Sequence, residues 1–322
     1  MAYSLIGKDF IPPDVHGKVT GKAKYAEDFK VDGMLHARLL TSPVPHARIV
    51  RLDVSKALQM EGVVAVLTAD DVPSVPNLGN PILTNEPAYV GDPILAIAAI
   101  NEGVAEDALQ AINFDFEPLP FVVDPLTSLR PGGPHARTQG NVGNATMQDD
   151  FRSIHWSNDE MASLINGDLP QGESAREWIV GDLEAGFAAA AYIIDESFVT
   201  ASYSHNSMEP RSALAYWENG KCFLYGSSQS QSFPVPALAG YIGIEPENLV
   251  FVAEFCGGGF GSKGGAYPAM SIPAHMSRLT GRPVMMRVSR EQENYIGSAR
   301  HGFQGRVKMG FRQDGRITAV DL

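Results

Sequence analysis

Along this chain of 322 residues the hydrophobic positions recur with two periods, and the switches between them mark the elements. Alternation, or a short unbroken apolar run, predicts a strand; apolar residues three and four apart predict a helix. Residues 34–40 and 47–52 read as strands around the turn Ser42-Pro43-Val44-Pro45. The run 62–68 is apolar and β-branched, hence a buried strand, and Thr68 is placed to cap a helical turn over 69–71 before Pro73. Residues 93–100 form another apolar strand. It leads into 102–112, where Val104, Ala105, Ala108, Leu109 and Ile112 fall at helical spacing. Phe114-Asp115-Phe116-Glu117 alternates as a strand until Pro118 and Pro120 stop it. Strands, one clear helix and Pro-rich turns make this first region α+β.

From Pro131-Gly132-Gly133-Pro134 the periodicity fades into a stretch rich in Asn, Gln, Asp and Ser. Residues 136–178 are read as a linker or surface excursion. Periodicity returns near Ile179. Asp182 caps a helix over 183–191, and 195–202 and 221–226 read as strands. A helix is predicted over 233–242, a strand over 249–255, and a helix over 269–279 ended by Gly281 and Pro283. Residues 284–288 are a strand, and 305–311 and 317–322 flank the hairpin turn Asp314-Gly315. The last strand lies at the end of the sequence, so the expectation is a truncation or a subunit whose sheet another chain completes. No internal repeat is present. The expected division is therefore 1–135, 136–178 and 179–322.

Composition narrows the picture. Apolar content of 44% and charged content of 19% are those of a soluble globular protein, and the length suits two cores. A net charge of −12 argues against nucleic acid or anionic membrane as a partner. No apolar run is long enough to span a bilayer, and the first residues show no secretory signal. Cys222 and Cys256, read as reduced thiols, point to the cytoplasm and are too few to hold an iron–sulfur cluster.

The candidate chemistry centres on Cys256-Gly257-Gly258-Gly259-Phe260-Gly261-Ser262-Lys263, which follows an apolar strand. Glycines this dense suit a backbone that bends sharply or approaches another group closely, and successive N–H groups there can converge on an anion. The Walker pattern is not met. Gly259, Gly261 and Gly264 fit G-x-G-x-x-G, but no acidic residue follows at a strand end. Composition leaves a cofactor loop and a purely structural turn both open. His205 and Glu209 are four apart, but Pro210 argues against a helix, so a buried turn with a Glu209–Arg211 pair is expected rather than a metal site. Within Ser227-Ser228-Gln229-Ser230-Gln231-Ser232 a serine can cap the following helix, and a glutamine amide can donate to a cofactor oxygen. Arg300-His301 reads as a charged turn or an anion contact, and no carboxylate pair forms an acid–base couple.

Taken in order, several segments resemble the molybdenum-binding large subunit of the xanthine dehydrogenase, aldehyde oxidase and carbon monoxide dehydrogenase family. Lys18-Val19-Thr20-Gly21-Lys22-Ala23-Lys24-Tyr25, Ser42 to Ile49, Gly62 to Pro73 and Tyr89-Val90-Gly91-Asp92-Pro93 resemble its opening hammerhead α/β domain. His205 to Arg211, Ser228-Gln229, Gly257 to Lys263 and Gly281-Arg282-Pro283-Val284 resemble the first part of its molybdopterin-binding domain. The resemblance covers most of the chain apart from about 138–177.

It implies an α+β fold, with residues 1–135 as the hammerhead and 179–322 as an incomplete molybdopterin-binding domain. It implies that Gln229 hydrogen-bonds an oxo ligand of molybdenum, and that Gly258, Gly259, Phe260 and Gly261 lie against the metal and its pterin dithiolene. It implies hydroxylation of an aldehyde or N-heterocyclic carbon with oxygen from water, using molybdopterin in its cytosine dinucleotide form. Electrons would leave through a [2Fe–2S] small subunit to an FAD medium subunit. The family's general-base glutamate belongs to a C-terminal half absent here, so no catalytic residue is expected in this chain. Purine-oxidising members carry a glutamate where Gly264 stands, which argues against a purine substrate and towards an aldehyde or another small molecule. Two rivals remain: an assembly subunit of the same fold without metal, and a nucleotide-dependent dehydrogenase using Gly259, Gly261 and Gly264.

Overall fold

The computed structural model describes residues 3–75, 80–135, 137–143, 151–162 and 177–322. Two compact units interleave along the chain. The first comprises Met1–Pro43, Ile49–Phe116 and Asn206–Gly297, and the second Val44–Arg48, Glu117–His205 and Ser298–Leu322.

The first unit is built on a seven-stranded mixed sheet. Its strands are β1 (Leu35–Thr41), β2 (Val63–Leu67), β3 (Pro93–Ala99), β4 (Ser212–Glu218), β5 (Lys221–Gly226), β6 (Leu249–Val252) and β7 (Val284–Arg287). Across the sheet they run β6-β5-β4-β7-β1-β3-β2. Two neighbouring pairs are parallel, β5 with β6 and β1 with β7. All of β3 is buried, because both faces are covered. Leu95 and Ile97 pack with Ala57, Ala108 and Ile112, whereas Ala96 and Ala98, pointing the other way, join the larger core. That core holds Ala213, Leu224, Met276, Val284 and Met286.

Helix α1 (Glu102–Gln110) starts where the Asn101 side chain accepts from the Val104 N–H at 2.9 Å, and it closes two residues earlier than its apolar period suggests. Helix α2 (Val235–Ile242) begins two residues later than expected. Helix α3 (Ile272–Thr280) is buried through Ser277 and ends at Gly281, in the left-handed region at φ +66°. The expected start at Ala269 is not met. Pro273 has no N–H to donate to the Ala269 carbonyl, so Pro268–Ser271 winds instead as a 3₁₀ turn. The predicted strand over 249–255 stops at Val252, where the chain turns out of the sheet.

Among the elements that escaped the periodicity reading, β4 and a helix after β7 bear on the site. β4 is a central strand, and it returns into β5 through Asn219-Gly220, both at positive φ, with Glu218 opposite Lys221. An Asn-Gly pair is the strongest local hairpin signal in any sequence. Helix α4 (Arg290–Ile296) opens with a capping box: Ser289 Oγ accepts from the Gln292 N–H at 3.1 Å, and Gln292 Oε1 from the Ser289 N–H at 3.2 Å.

The second unit carries a three-stranded antiparallel sheet with Phe303–Phe311 between Tyr192–Thr200 and Ile317–Asp321. The expected hairpin forms around Gly315, at φ +81°. Arg306 grips Asp195 across the sheet with two bonds of 2.6 Å. The Asp182 carboxylate accepts from the Ala185 N–H at 2.9 Å and caps Leu183–Ala188. The stretch read as a linker, 136–178, contains a short strand pair, Val142–Gly143 with Phe151–Arg152, and the helical turn Asn158–Ala162. Residues 136, 144–150 and 163–176 of that stretch lie outside the described residues.

Candidate functional site

Parallel strands end on the same side, so the C-terminal ends of β5 and β6 open together. The segment after β5 carries Ser227, Ser228 and Gln229; the segment after β6 carries the glycine loop. β4 runs antiparallel to β5, with Ala213 opposite Gly226, so Asn206 to Arg211 arrives at that end as well. Three segments far apart in sequence thus converge at one end of the sheet, as ligand-binding segments do in α/β folds.

The convergence is held by specific bonds. The Gly261 N–H donates to Gln229 Oε1 at 3.0 Å. The Lys263 carbonyl accepts from the Gln229 N–H at 3.1 Å and from Ser228 Oγ at 3.0 Å. With its oxygen engaged, Gln229 presents its NH₂ group, which has no acceptor among the described residues. The side chain is exposed. The structure therefore brings Gln229 together with Gly258, Gly259, Phe260 and Gly261.

The glycines answer to the loop's own neighbours. A Cβ on Gly259 would sit 2.2 Å from Gln229 Oε1, and one on Gly257 2.5 Å from the Glu209 Cβ. Gly258 and Gly261 stand at φ +108° and +104°. Phe260, at φ +52° and 66% exposed, is a bulky side chain in the left-handed region that leaves the bare loop outward. Such strain is typical of functional loops.

Behind the loop lie two buried ion pairs. The expected Glu209–Arg211 pair does not form. Pro210 separates the two side chains, and each finds a partner from another segment. Arg211 pairs with Glu293, whose other oxygen accepts the Arg211 N–H at 2.7 Å. The same guanidinium donates to the Ser262 carbonyl and lies over the Tyr267 ring, 5.1 Å from its centroid. Glu209 lies 3.6 Å from the Lys263 ammonium and accepts from the Gly257 N–H at 2.7 Å. Burial lowers the pKa of Lys263, with Glu209 opposing the shift, and raises those of the Cys256 thiol and the Tyr267 hydroxyl.

Other candidates play different parts. His205 Nδ1 lies 2.9 Å from the Ser298 carbonyl. Among the described residues no group of three His, Cys, Asp or Glu side chains could hold a metal ion. Ser230 Oγ accepts from the Phe233 N–H at 3.2 Å, ahead of α2, and no serine caps that helix directly. Arg300 lies in the short strand Ala299–Arg300, paired with Tyr203–Ser204. Cys222 and Cys256 are free thiols. Sequence reasoning missed Lys263 and Glu293 as partners, because neither carries a local signal of its distant contact.

A large anionic cofactor fits this end of the sheet. The N–H groups of Gly258 and Gly259 have no acceptor among the described residues, and Gln229, whose NH₂ group likewise has none, is bonded to the same loop at Gly261. Unspent donors on a glycine turn suit oxygen or sulfur ligands.

Comparison with known proteins defines the class. Residues 20–120 match the aldehyde oxidase and xanthine dehydrogenase a/b hammerhead domain, and residues 167–322 the molybdopterin cofactor-binding domain. The nicotinate dehydrogenase large molybdopterin subunit of Eubacterium barkeri is 30% identical over 99% of this chain and 70% of its own length. The nicotine 6-hydroxylase large subunit of Paenarthrobacter nicotinovorans is 26% identical over 98% of this chain, which spans 37% of that relative. The crystal structure of quinoline 2-oxidoreductase from Pseudomonas putida 86 superposes with a TM-score of 0.74 at 26% identity, covering 98% of this chain and 38% of that one. The chain belongs to the xanthine dehydrogenase, aldehyde oxidase and carbon monoxide dehydrogenase family of molybdopterin-binding large subunits. Members of that family are molybdenum-containing oxidoreductases.

Proposed function

We propose that this chain forms one wall of a molybdenum–molybdopterin site in an oxidoreductase that hydroxylates an aldehyde or N-heterocyclic carbon with oxygen from water. The observation that carries the reading is the pairing of Gln229 with Gly261, which leaves the glutamine NH₂ and the Gly258 and Gly259 amides without acceptors among the described residues. Gln229 would donate to an oxygen ligand of the metal, and Gly258, Gly259 and Gly261 would line the pterin side. Phe260, projecting outward, would shape the space beside the reacting carbon and exclude water from it. When bound, the cofactor supplies the two-electron redox chemistry. This chain contributes positioning and hydrogen bonds. In this reading residues 1–135 are the hammerhead domain, 136–178 connect it, and 179–322 are the first part of the molybdopterin-binding domain.

The general base and the remaining cofactor contacts would come from the C-terminal half of the molybdenum subunit, so that this chain by itself is inactive. A [2Fe–2S] subunit and an FAD subunit would carry electrons away, the cofactor would be the cytosine dinucleotide form, and the complex would work in the cytoplasm. Among the described residues no helix is long and apolar enough to cross a membrane.

The test is metal and pterin analysis of the complex purified from its native host through this chain. Molybdenum with a pterin, and co-purifying iron–sulfur and flavin subunits, is the expected result, followed by a substrate screen of aldehydes and N-heterocycles. A clean preparation with neither molybdenum nor redox partners would overturn the catalytic reading and leave an assembly subunit.

A further inference from the structure

Gln229 and Phe260 are exposed at the glycine loop, and what holds the loop in shape lies behind it. Lys263 is fully buried, and the Glu209 side chain beside it is 8% exposed. A buried ammonium is costly unless paired and fully hydrogen-bonded. Here it lies 3.6 Å from the Glu209 carboxylate and donates to the Glu209 carbonyl at 2.5 Å. Glu209 Oε2 in turn accepts from the Gly257 N–H at 2.7 Å, and the Gly257 carbonyl accepts from the Glu209 N–H at 3.2 Å. The second oxygen, Oε1, accepts from the Ala26 N–H at 3.4 Å. Gly257 and Lys263 are the two ends of the loop. One ion pair therefore closes it, and the Lys263 carbonyl passes the constraint to Gln229 and Ser228.

We propose that Glu209 and Lys263 are positioning residues: their buried pair clamps both ends of the 257–263 loop and so fixes the backbone donors of Gly258 and Gly259 and the amide of Gln229. The pair touches neither substrate nor cofactor. The role of the loop rests on the cofactor reading above, but the clamp itself does not. The geometry separates two components. The bond from Gly257 needs only an acceptor oxygen, which glutamine retains. Neutralising the ammonium needs a charge, which glutamine lacks.

The experiment compares Glu209→Gln, Glu209→Ala and the double variant Glu209→Gln/Lys263→Met with the parent, each purified with its native partners. Amide hydrogen exchange is read over peptides spanning 255–265, alongside the thermal midpoint and the pterin content. The clamp predicts exchange about tenfold faster in Glu209→Ala, because a buried donor loses its acceptor. In Glu209→Gln/Lys263→Met the Gly257 amide keeps its acceptor and should keep its protection, whereas the Gly261 and Ser262 amides should exchange faster, because the tie from Lys263 to the Glu209 carbonyl is gone. Glu209→Gln alone should lose thermal stability and keep most of the loop's protection. Parental exchange in Glu209→Ala would overturn the proposal, as would equal loss of protection in all three variants, which marks a general packing defect. Absence of pterin from the parent would sink the cofactor reading and leave the exchange result to judge the clamp.

Discussion

At the scale of single residues, the glycines of the loop are not interchangeable. Gly259→Ala pushes a methyl group into Gln229 Oε1, where the ideal Cβ would be 2.2 Å away. The amide must swing out and give up the exposed bond from the Gly261 N–H, so we expect a loss of about 1 kcal/mol in unfolding free energy, read by urea titration. Gly264→Ala meets nothing closer than 3.6 Å and should stay within about 0.5 kcal/mol of the parent. Cys222 gives a test by pH. Burial raises its thiol from 9.0 to about 12. Above the lower value the unfolded chain releases a proton that the folded chain retains, so stability present below pH 9.0 is lost as pH rises towards 12. The parent should therefore lose unfolding free energy more steeply than Cys222→Ala over that range, measured by denaturant titration at stepped pH.

At the scale of elements, what could be read depended on how local the cause was. The Asn101 cap, the Asp182 cap and the Gly281 stop are decided by bonds within one turn, and the helices they bound were legible. Asn101→Ala should cost about 1 kcal/mol, visible as a lowered thermal midpoint. β4 was missed although Asn219-Gly220 announces its hairpin, because its apolar run continues from a segment read as a turn. Helix α4 was missed although Ser289 and Gln292 spell a capping box. The start of α3 was misplaced because apolar periodicity runs through Pro273 without regard to the missing N–H. In each case the signal was chemical, not periodic.

At the scale of the whole molecule, the sheet of the first unit joins stretches remote in sequence. β1 pairs with β7 through Leu35 to Ala37 and Val284 to Met286, and the core mixes side chains from both. A piece spanning 179–322 alone would lose β1 from the exposed edge of β7 and uncover Val284 and Met286. It should unfold without a cooperative transition, and near-UV circular dichroism in a urea series would show this. A sharp transition in that piece would mean that β7 needs no partner from the first hundred residues.

The sequence by itself determined the α+β class, the order of most strands and helices, the glycine loop as the candidate site, and the resemblance that names the family. These follow from periodicity, from caps and turns, and from an ordered set of short motifs, all readable over a few residues. Only the tertiary structure decided that β5 and β6 end side by side, so that Gln229 meets Gly261 across 32 positions. Only it decided that Glu209 belongs to Lys263 and Arg211 to Glu293. Burying a charge is tolerable only beside its opposite, and which opposite is nearest is fixed by the path of the folded backbone, not by separation along the chain.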